Sequence, residues 1–139
     1  MTQTIRELMT ANPLILDAKA TVSEAAKQMR ERDCGALLVE EGGKLCGIVT
    51  DRDIVVRCIA DQRDPREEPV KDLCSPALAT LEATASVDDA IEVLQARAIR
   101  RIPIIEDGTA IGIVSLGDLA AARDPESALG RISTAPATR

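Results

Sequence analysis

The sequence contains no histidine, phenylalanine, tyrosine or tryptophan. Without imidazole, neither a Ser/His/Asp nor a Cys/His nucleophile pair can be assembled, and the commonest metal ligand is missing. Without aromatic rings, the stacking platforms of single-stranded nucleic-acid binders are missing too. Cations are in the minority: 17 Lys and Arg stand against 23 Asp and Glu, a formal net charge of -6 that repels a phosphate backbone. Nucleic acid is therefore not expected as a partner.

Long apolar runs are also lacking. None approaches the roughly 18 residues of a membrane span, and "MTQTIRELMT" has no basic start followed by an apolar core. A cytoplasmic protein with no membrane association is expected. Cys34, Cys46, Cys58 and Cys74 are too far apart for a CxxC pair, and no histidine completes a zinc site. They are expected as reduced, mostly buried thiols, with no bound metal.

What is present is a core-forming supply of Ala, Ile, Leu and Val in 139 residues that are 45% hydrophobic, enough for one ordinary domain. That supply is written twice. A shift of 65 residues superimposes Ile5 on Val70, Leu8 on Leu73, Val22 on Val87, Gly47 on Gly112 and Asp53 on Asp118 without a gap. Repeats of this kind cannot bury their apolar faces alone and stack on each other. The organisation expected is repeat 1 at 1–59, a polar linker "ADQRDPREEP" at 60–69, repeat 2 at 70–123, and a mobile tail of small and polar residues at 124–139.

Each repeat opens with a short segment ("IRELM", "VKDLC") and a short apolar stretch ("LIL", "LATL"). An amphipathic helix follows, with apolar residues at Val22, Ala25, Ala26 and Met29 and again at Val87, Ala90, Ile91 and Leu94. Thr21 with Glu24, and Ser86 with Asp89, are N-terminal capping signals. Two strand-like runs come next, "ALLVE" and "LCGIV", then "IPIIE" and "AIGIV", joined at Gly42-Gly43 and Asp107-Gly108 as hairpins. A last helix ("DRDIVVRCIA", "GDLAAA") completes a β-α-β-β-α unit in a mixed α/β (α+β) fold.

The stretches "GIVTDRDI" and "GIVSLGDL" carry the candidate chemistry. Each begins with a glycine suited to a turn and places a hydroxyl three residues before an aspartate where a strand gives way to a helix. One reading is a plain helix cap, although Asp is shorter than the Glu or Gln that usually reaches back. The other is a nucleotide site, with a phosphate on the orphan amides of the helix start and the Asp accepting from ribose hydroxyls. The copies differ in charge. Gly35 and Ala36 become Arg100 and Arg101, and Asp51 and Arg52 become Leu116 and Gly117. A guanidinium grips phosphate in a forked geometry whereas Asp51 repels it, so a phosphorylated ligand is expected beside Asp118. The alternative for Arg100 and Arg101 is a solvated strand edge or a salt bridge to Glu106 or Asp107.

"MTANP", "GALLVEEGGKLCGIVTDRDI" and "IRRIPIIEDGTAIGIVSLGDL" together resemble the cystathionine β-synthase (CBS) domain family, in which two tandem copies pack as one pseudo-two-fold module. The chain is similar to small stand-alone bacterial CBS pairs. The resemblance implies an adenosine-type ligand (AMP, ADP, ATP or S-adenosylmethionine) held by Thr50 and Asp53 in one cleft and by Ser115 and Asp118 in the other. By the same resemblance Asn12, Leu14 and Cys34 line the Asp118 cleft, and Ala77, Ala79 and Ile99 the Asp53 cleft. It further implies a homodimer through the CBS helices, for which Ile54, Val55, Cys58 and Ile59 offer an apolar face unless they face the module's own core.

No cofactor is required on this reading, and no enzyme is expected. A general base near neutral pH is missing, and no spacing of carboxylates suggests a pair with a raised pKa. The expectation is a regulatory module that signals nucleotide occupancy by a change of shape or partner affinity to an unknown regulated protein. The competing expectation is a ligand-free dimerisation scaffold.

Overall fold

The computed structural model describes residues 4–76, 79–124 and 126–134, and the 65-residue register recurs through most of its backbone. The first repeat forms α1 (Ile5–Leu8), β1 (Thr10–Ala11), β2 (Ile15–Asp17), α2 (Val22–Arg32), β3 (Ala36–Glu41), β4 (Lys44–Thr50) and α3 (Asp51–Ile54), which runs into a π-helical turn at Val55–Ile59. The second begins with a 3-10 turn at Val70–Asp72. It continues with β5 (Leu81–Glu82), α4 (Val87–Arg97), β6 (Arg101–Glu106), β7 (Thr109–Ser115), α5 (Leu116–Arg123) and α6 (Ala128–Thr134).

Local chemistry accounts for the element ends. Thr21 Oγ1 accepts from the Glu24 N–H at 3.2 Å and starts α2. At α4, Ser86 and Asp89 bond reciprocally, both at 3.1 Å. The linker satisfies further orphan amides of α2, because Val22 N–H donates to Glu68 O at 2.9 Å and Ser23 N–H to Pro65 O at 2.8 Å. Both helices end on a left-handed residue, Asp33 (φ 52) and Ala98 (φ 52). Ala tolerates that conformation poorly, so Ala98→Gly is expected to raise stability by about 0.5–1 kcal/mol in urea denaturation. The hairpin joints Gly42-Gly43 and Asp107-Gly108 all have positive φ, the condition for a tight two-residue turn whose twist matches the strands.

The strands form two sheets. The three-stranded one has the order β2-β3-β4 and the four-stranded one β1-β7-β6-β5. In both, the strand before the helix runs parallel to the one after it, and the hairpin is antiparallel with one register shift, at Val39/Glu40 and at Ile104/Ile105.

The opening segments do not stay with their own repeats. Thr10 pairs with Ile113 on β7, and at the equivalent place Ser75 pairs with Ile48 on β4, where both N–H···O bonds measure 2.9 Å. Ile5 is buried in a cluster with Val87, Leu94, Ile102, Ile104, Val114 and Leu119. Val70 is buried with Leu14, Ala25, Leu37, Val39 and Val49. The compact units are accordingly Pro13–Ala77 on one side and Met1–Asn12 with Leu78–Arg139 on the other. Each buried aliphatic side chain contributes roughly 1.5–3 kcal/mol, so each unit depends on a segment lent by the other repeat.

The glycines of the repeated stretch are explained by this exchange and are not turn residues. Both lie inside strands, β4 and β7. A Cβ at Gly47 would lie 2.1 Å from Ser75 O, and one at Gly112 would lie 2.4 Å from Met9 Sδ and 3.0 Å from Thr10 O. Only a residue without a side chain lets the borrowed segment reach the hairpin.

Within the segment read as a mobile tail, α6 forms at Ala128–Thr134, its start capped by Ser127 accepting from the Gly130 N–H at 3.0 Å, while 135–139 lie outside the described residues. Two further expectations are corrected. "DRDIVVRCIA" is α-helical only at its start. Within the π turn Cys58 points inward, and Ile54 just before it packs against the core, whereas Val55, Val56 and Ile59 are 59%, 46% and 54% exposed. Finally, all four cysteines are free thiols, but only Cys58 is buried.

Candidate functional site

The end of each hairpin delivers a hydroxyl and a carboxylate to the start of a helix. Asp118 N–H donates to Ser115 Oγ at 3.1 Å, and Ser115 N–H donates to Asp118 Oδ2 at 2.8 Å. In the other unit Asp53 N–H donates to Thr50 Oγ1 at 3.2 Å, and Thr50 N–H to Asp53 Oδ2 at 2.8 Å. The aspartates are thus long enough to close reciprocal caps. The capping reading is correct and leaves the chemistry open, because one carboxylate oxygen is held by the cap and the other is fixed in direction.

The two caps have different surroundings. Beside Asp118, Arg101 lies opposite Ser115 in the β6–β7 ladder, and Arg100 O accepts the Leu116 N–H at 2.8 Å. Both arginines are exposed, and among the described residues neither has an ion pair. The expected partner Glu106 is taken by Arg6. α5 brings eight residues of aligned peptide dipole to the same point, with its positive end at Leu116. Two free cations, a helix start and a preset carboxylate therefore share one edge of this unit.

Around Asp53 the same wiring carries other charges. Ala36 lies opposite Thr50, and Gly35 O accepts the Asp51 N–H at 3.0 Å. The Asp51 carboxylate lies over Gly35, 3.0 Å from where its Cβ would be. The second oxygen of Asp53 faces Arg57 Nε at 3.8 Å, and Arg57 Nη1 donates to Leu73 O at 3.2 Å. Arg57 went unnoticed in the sequence reading, although the register does carry a signal: Ala122 stands at its place in the second repeat. Nearby, burial pushes the Cys74 thiol up from its ordinary value. Cys46 and then Asp53 add to this and Arg57 opposes it, which makes Cys74 a poor nucleophile at neutral pH.

The remaining site residues divide between the units. Asn12 belongs with Asp118 and has φ 53. Leu14 is in the core of the Asp53 unit, and Cys34 is half-buried against that core. Ile99 packs against the core of the Asp118 unit. Ala79 lines a hollow of about 770 Å³ along α4 with Thr80, Glu92, Gln95 and Arg97, which touches neither cap. Ala77 lies outside the described residues. Among the described residues there is no cluster of three or more Cys, Asp or Glu able to hold a metal, and no helix long and apolar enough to cross a membrane.

Comparison with known proteins agrees with this duplicated architecture. The CBS domain family matches twice, at residues 5–59 and 70–124. The chain belongs to the CBS-domain family. It is 37% identical over 116 residues to the CBS domain-containing protein YhcV of Bacillus subtilis (strain 168), covering 84% of this chain and 82% of that protein. It is 33% identical over 118 residues to hypoxic response protein 1 of Mycobacterium tuberculosis (strain ATCC 25618 / H37Rv), covering 84% and 82%. The crystal structure of a Hypoxic Response Protein I with two coordinated zinc ions, 33% identical, superimposes with a TM-score of 0.75 over 85% of this chain and 97% of the other. A hexameric CBS-CP12 protein from bloom-forming cyanobacteria, 30% identical, gives 0.77 over 90% and 74%. Tandem CBS domains are in general regulatory modules that bind ligands, and the sequence lacks the usual catalytic base and metal ligand because it has no histidine.

Proposed function

We propose that this CBS pair is a non-catalytic sensor that binds an adenosine-type nucleotide at the Ser115–Asp118 cap and reports its occupancy through a change of shape or partner affinity. The observation that carries the reading is the meeting of opposite chemistries at one edge. Asp118 has a cap-fixed carboxylate with one oxygen left to accept from vicinal hydroxyls, and beside it Arg100 and Arg101, without an ion pair among the described residues, supply guanidinium donors for phosphate. Phosphate and ribose together define a nucleotide. With no aromatic ring in the chain, the base would lie among aliphatic side chains and be selected by shape and backbone hydrogen bonds.

A thermal-shift screen against AMP, ADP, ATP, S-adenosylmethionine and guanine nucleotides tests this. A ligand at a hundredfold excess over its dissociation constant stabilises the folded state by about 2.7 kcal/mol, a shift of several degrees. Asp118→Ala is expected to abolish the shift after its own baseline is subtracted, because it also removes a cap. Arg100→Ala with Arg101→Ala should weaken AMP more than adenosine. The absence of any shift in folded, nucleotide-free protein overturns the reading.

A ligand-free scaffold is the second reading, and one observation favours it. Val55, Val56 and Ile59 are exposed on the π turn, and Leu116 opens onto an apolar groove of about 250 Å³ between α4 and α5. We infer that such surfaces serve self-association in either case, most simply as a homodimer through these helices. Sedimentation across a concentration series with Val56→Glu tests it.

A further inference from the structure

We propose that Arg57 closes the Asp53 site, so that the chain takes a single nucleotide at Ser115–Asp118 although it carries the motif twice. The inference rests on the nucleotide reading of that cap and adds a residue that decides which copy is open.

The two caps are bonded alike, so the cap itself does not select. What differs is the second carboxylate oxygen. A ribose needs that oxygen as an acceptor for its hydroxyls, and in the Asp53 copy the Arg57 guanidinium faces it. The Asp53 side chain is only 16% exposed, which leaves little room to approach around the guanidinium. The same guanidinium is also tied to the backbone, because Nη1 donates to Leu73 O. A planar guanidinium with several donors can span two acceptors in this way.

The backbone supplies a second, independent difference. The helix after Thr50 changes to a π turn at Val55–Ile59, with Arg57 at its centre, whereas its counterpart α5 is α-helical throughout. A π turn in place of an α turn is a rare local structure, frequently found at functional sites. Here it accompanies the Arg57 bridge between Asp53 and the Leu73 carbonyl. No equivalent bridge can form in the other repeat, where position 122 is alanine and, among the described residues, Asp118 has no ion pair.

Asp51 shapes what an opened site would accept. Its carboxylate lies over Gly35, at the place the Arg100 side chain departs from in the other copy. Without Arg57, the Asp53 site would present acceptors for a diol and a negative charge where a phosphate would go. It would favour an uncharged ribonucleoside over a nucleotide.

Titration calorimetry with AMP and with adenosine separates these statements. The wild-type protein should bind one equivalent of AMP, unaffected by Asp53→Ala and lost in Asp118→Ala. Arg57→Gln, which keeps a donor for Leu73 O without the charge, should gain a second equivalent of adenosine. That equivalent should survive Asp118→Ala and disappear when Asp53→Ala is added. Two equivalents of AMP in the wild type, with one lost in Asp53→Ala, would overturn the proposal. So would a folded Arg57→Gln, checked alongside Arg57→Ala, that still takes one adenosine. If the wild type binds nothing and Arg57→Gln binds one adenosine, the Ser115–Asp118 reading fails while the role of Arg57 stands; if neither binds, both fail.

Discussion

Gly47→Ala is expected to destabilise the Pro13–Ala77 unit by about 3 kcal/mol, the upper end of ordinary overpacking. The added methyl would lie 2.1 Å from a backbone oxygen, Ser75 O, which cannot rotate away as a flexible side chain can. Relief requires the borrowed segment to withdraw, and this breaks the pair of 2.9 Å bonds between Ile48 and Ser75. Urea denaturation measures the loss. Gly112→Ala is the internal comparison: its worst neighbour is the Met9 side chain, which can move, so a smaller loss is expected there. Equal losses would mean that backbone approach is not what requires glycine at these positions.

The second large effect is expected at Ile5, near the start of the chain. Ile5→Ala should cost about 3–4 kcal/mol, because the side chain is fully buried and its removal leaves a cavity among Val87, Ile102, Ile104 and Val114. The location of the damage is the sharper test. Hydrogen exchange should show lost protection in β5, β6, β7 and α4, sixty or more residues away in sequence, with β3 and β4 much less affected. Val70→Ala, the equivalent substitution in the other repeat, should do the reverse, since Val70 is buried with Leu37, Val39 and Val49. Loss of protection confined to residues near each mutation in sequence would contradict the exchange of opening segments.

How much of this was legible in the sequence depends on how local its cause is. The helix starts at Thr21 and Ser86 and the hairpin joints at Gly42-Gly43 and Asp107-Gly108 were legible because their signals lie within four residues. The duplication was legible because its register has no gap, and with it the recurrence of Thr50–Asp53 as Ser115–Asp118. The exchange was not legible from pattern, since Thr10–Ala11 and Ser75 carry no periodicity, and a glycine in a strand looks like a glycine in a turn. The π turn was equally hidden, because "IVVRCI" has ordinary helical spacing. At the site, the residue types were readable and the ion pairs were not. Glu106 was an available partner for Arg100 or Arg101 until the structure placed Arg6 on it.

The traded opening segments also determine what half of this protein would be. A chain cut within Ala60–Pro69 would leave each half holding a segment shaped for the other and lacking the one it needs. Such halves could complete themselves only by finding another molecule, as in domain swapping, and their folding would depend on concentration. Tethered by ten residues, the same encounter takes place at an effective concentration on the order of millimolar, whatever the abundance of the protein. Duplication with a short tether therefore turns an association equilibrium into a property of a single chain.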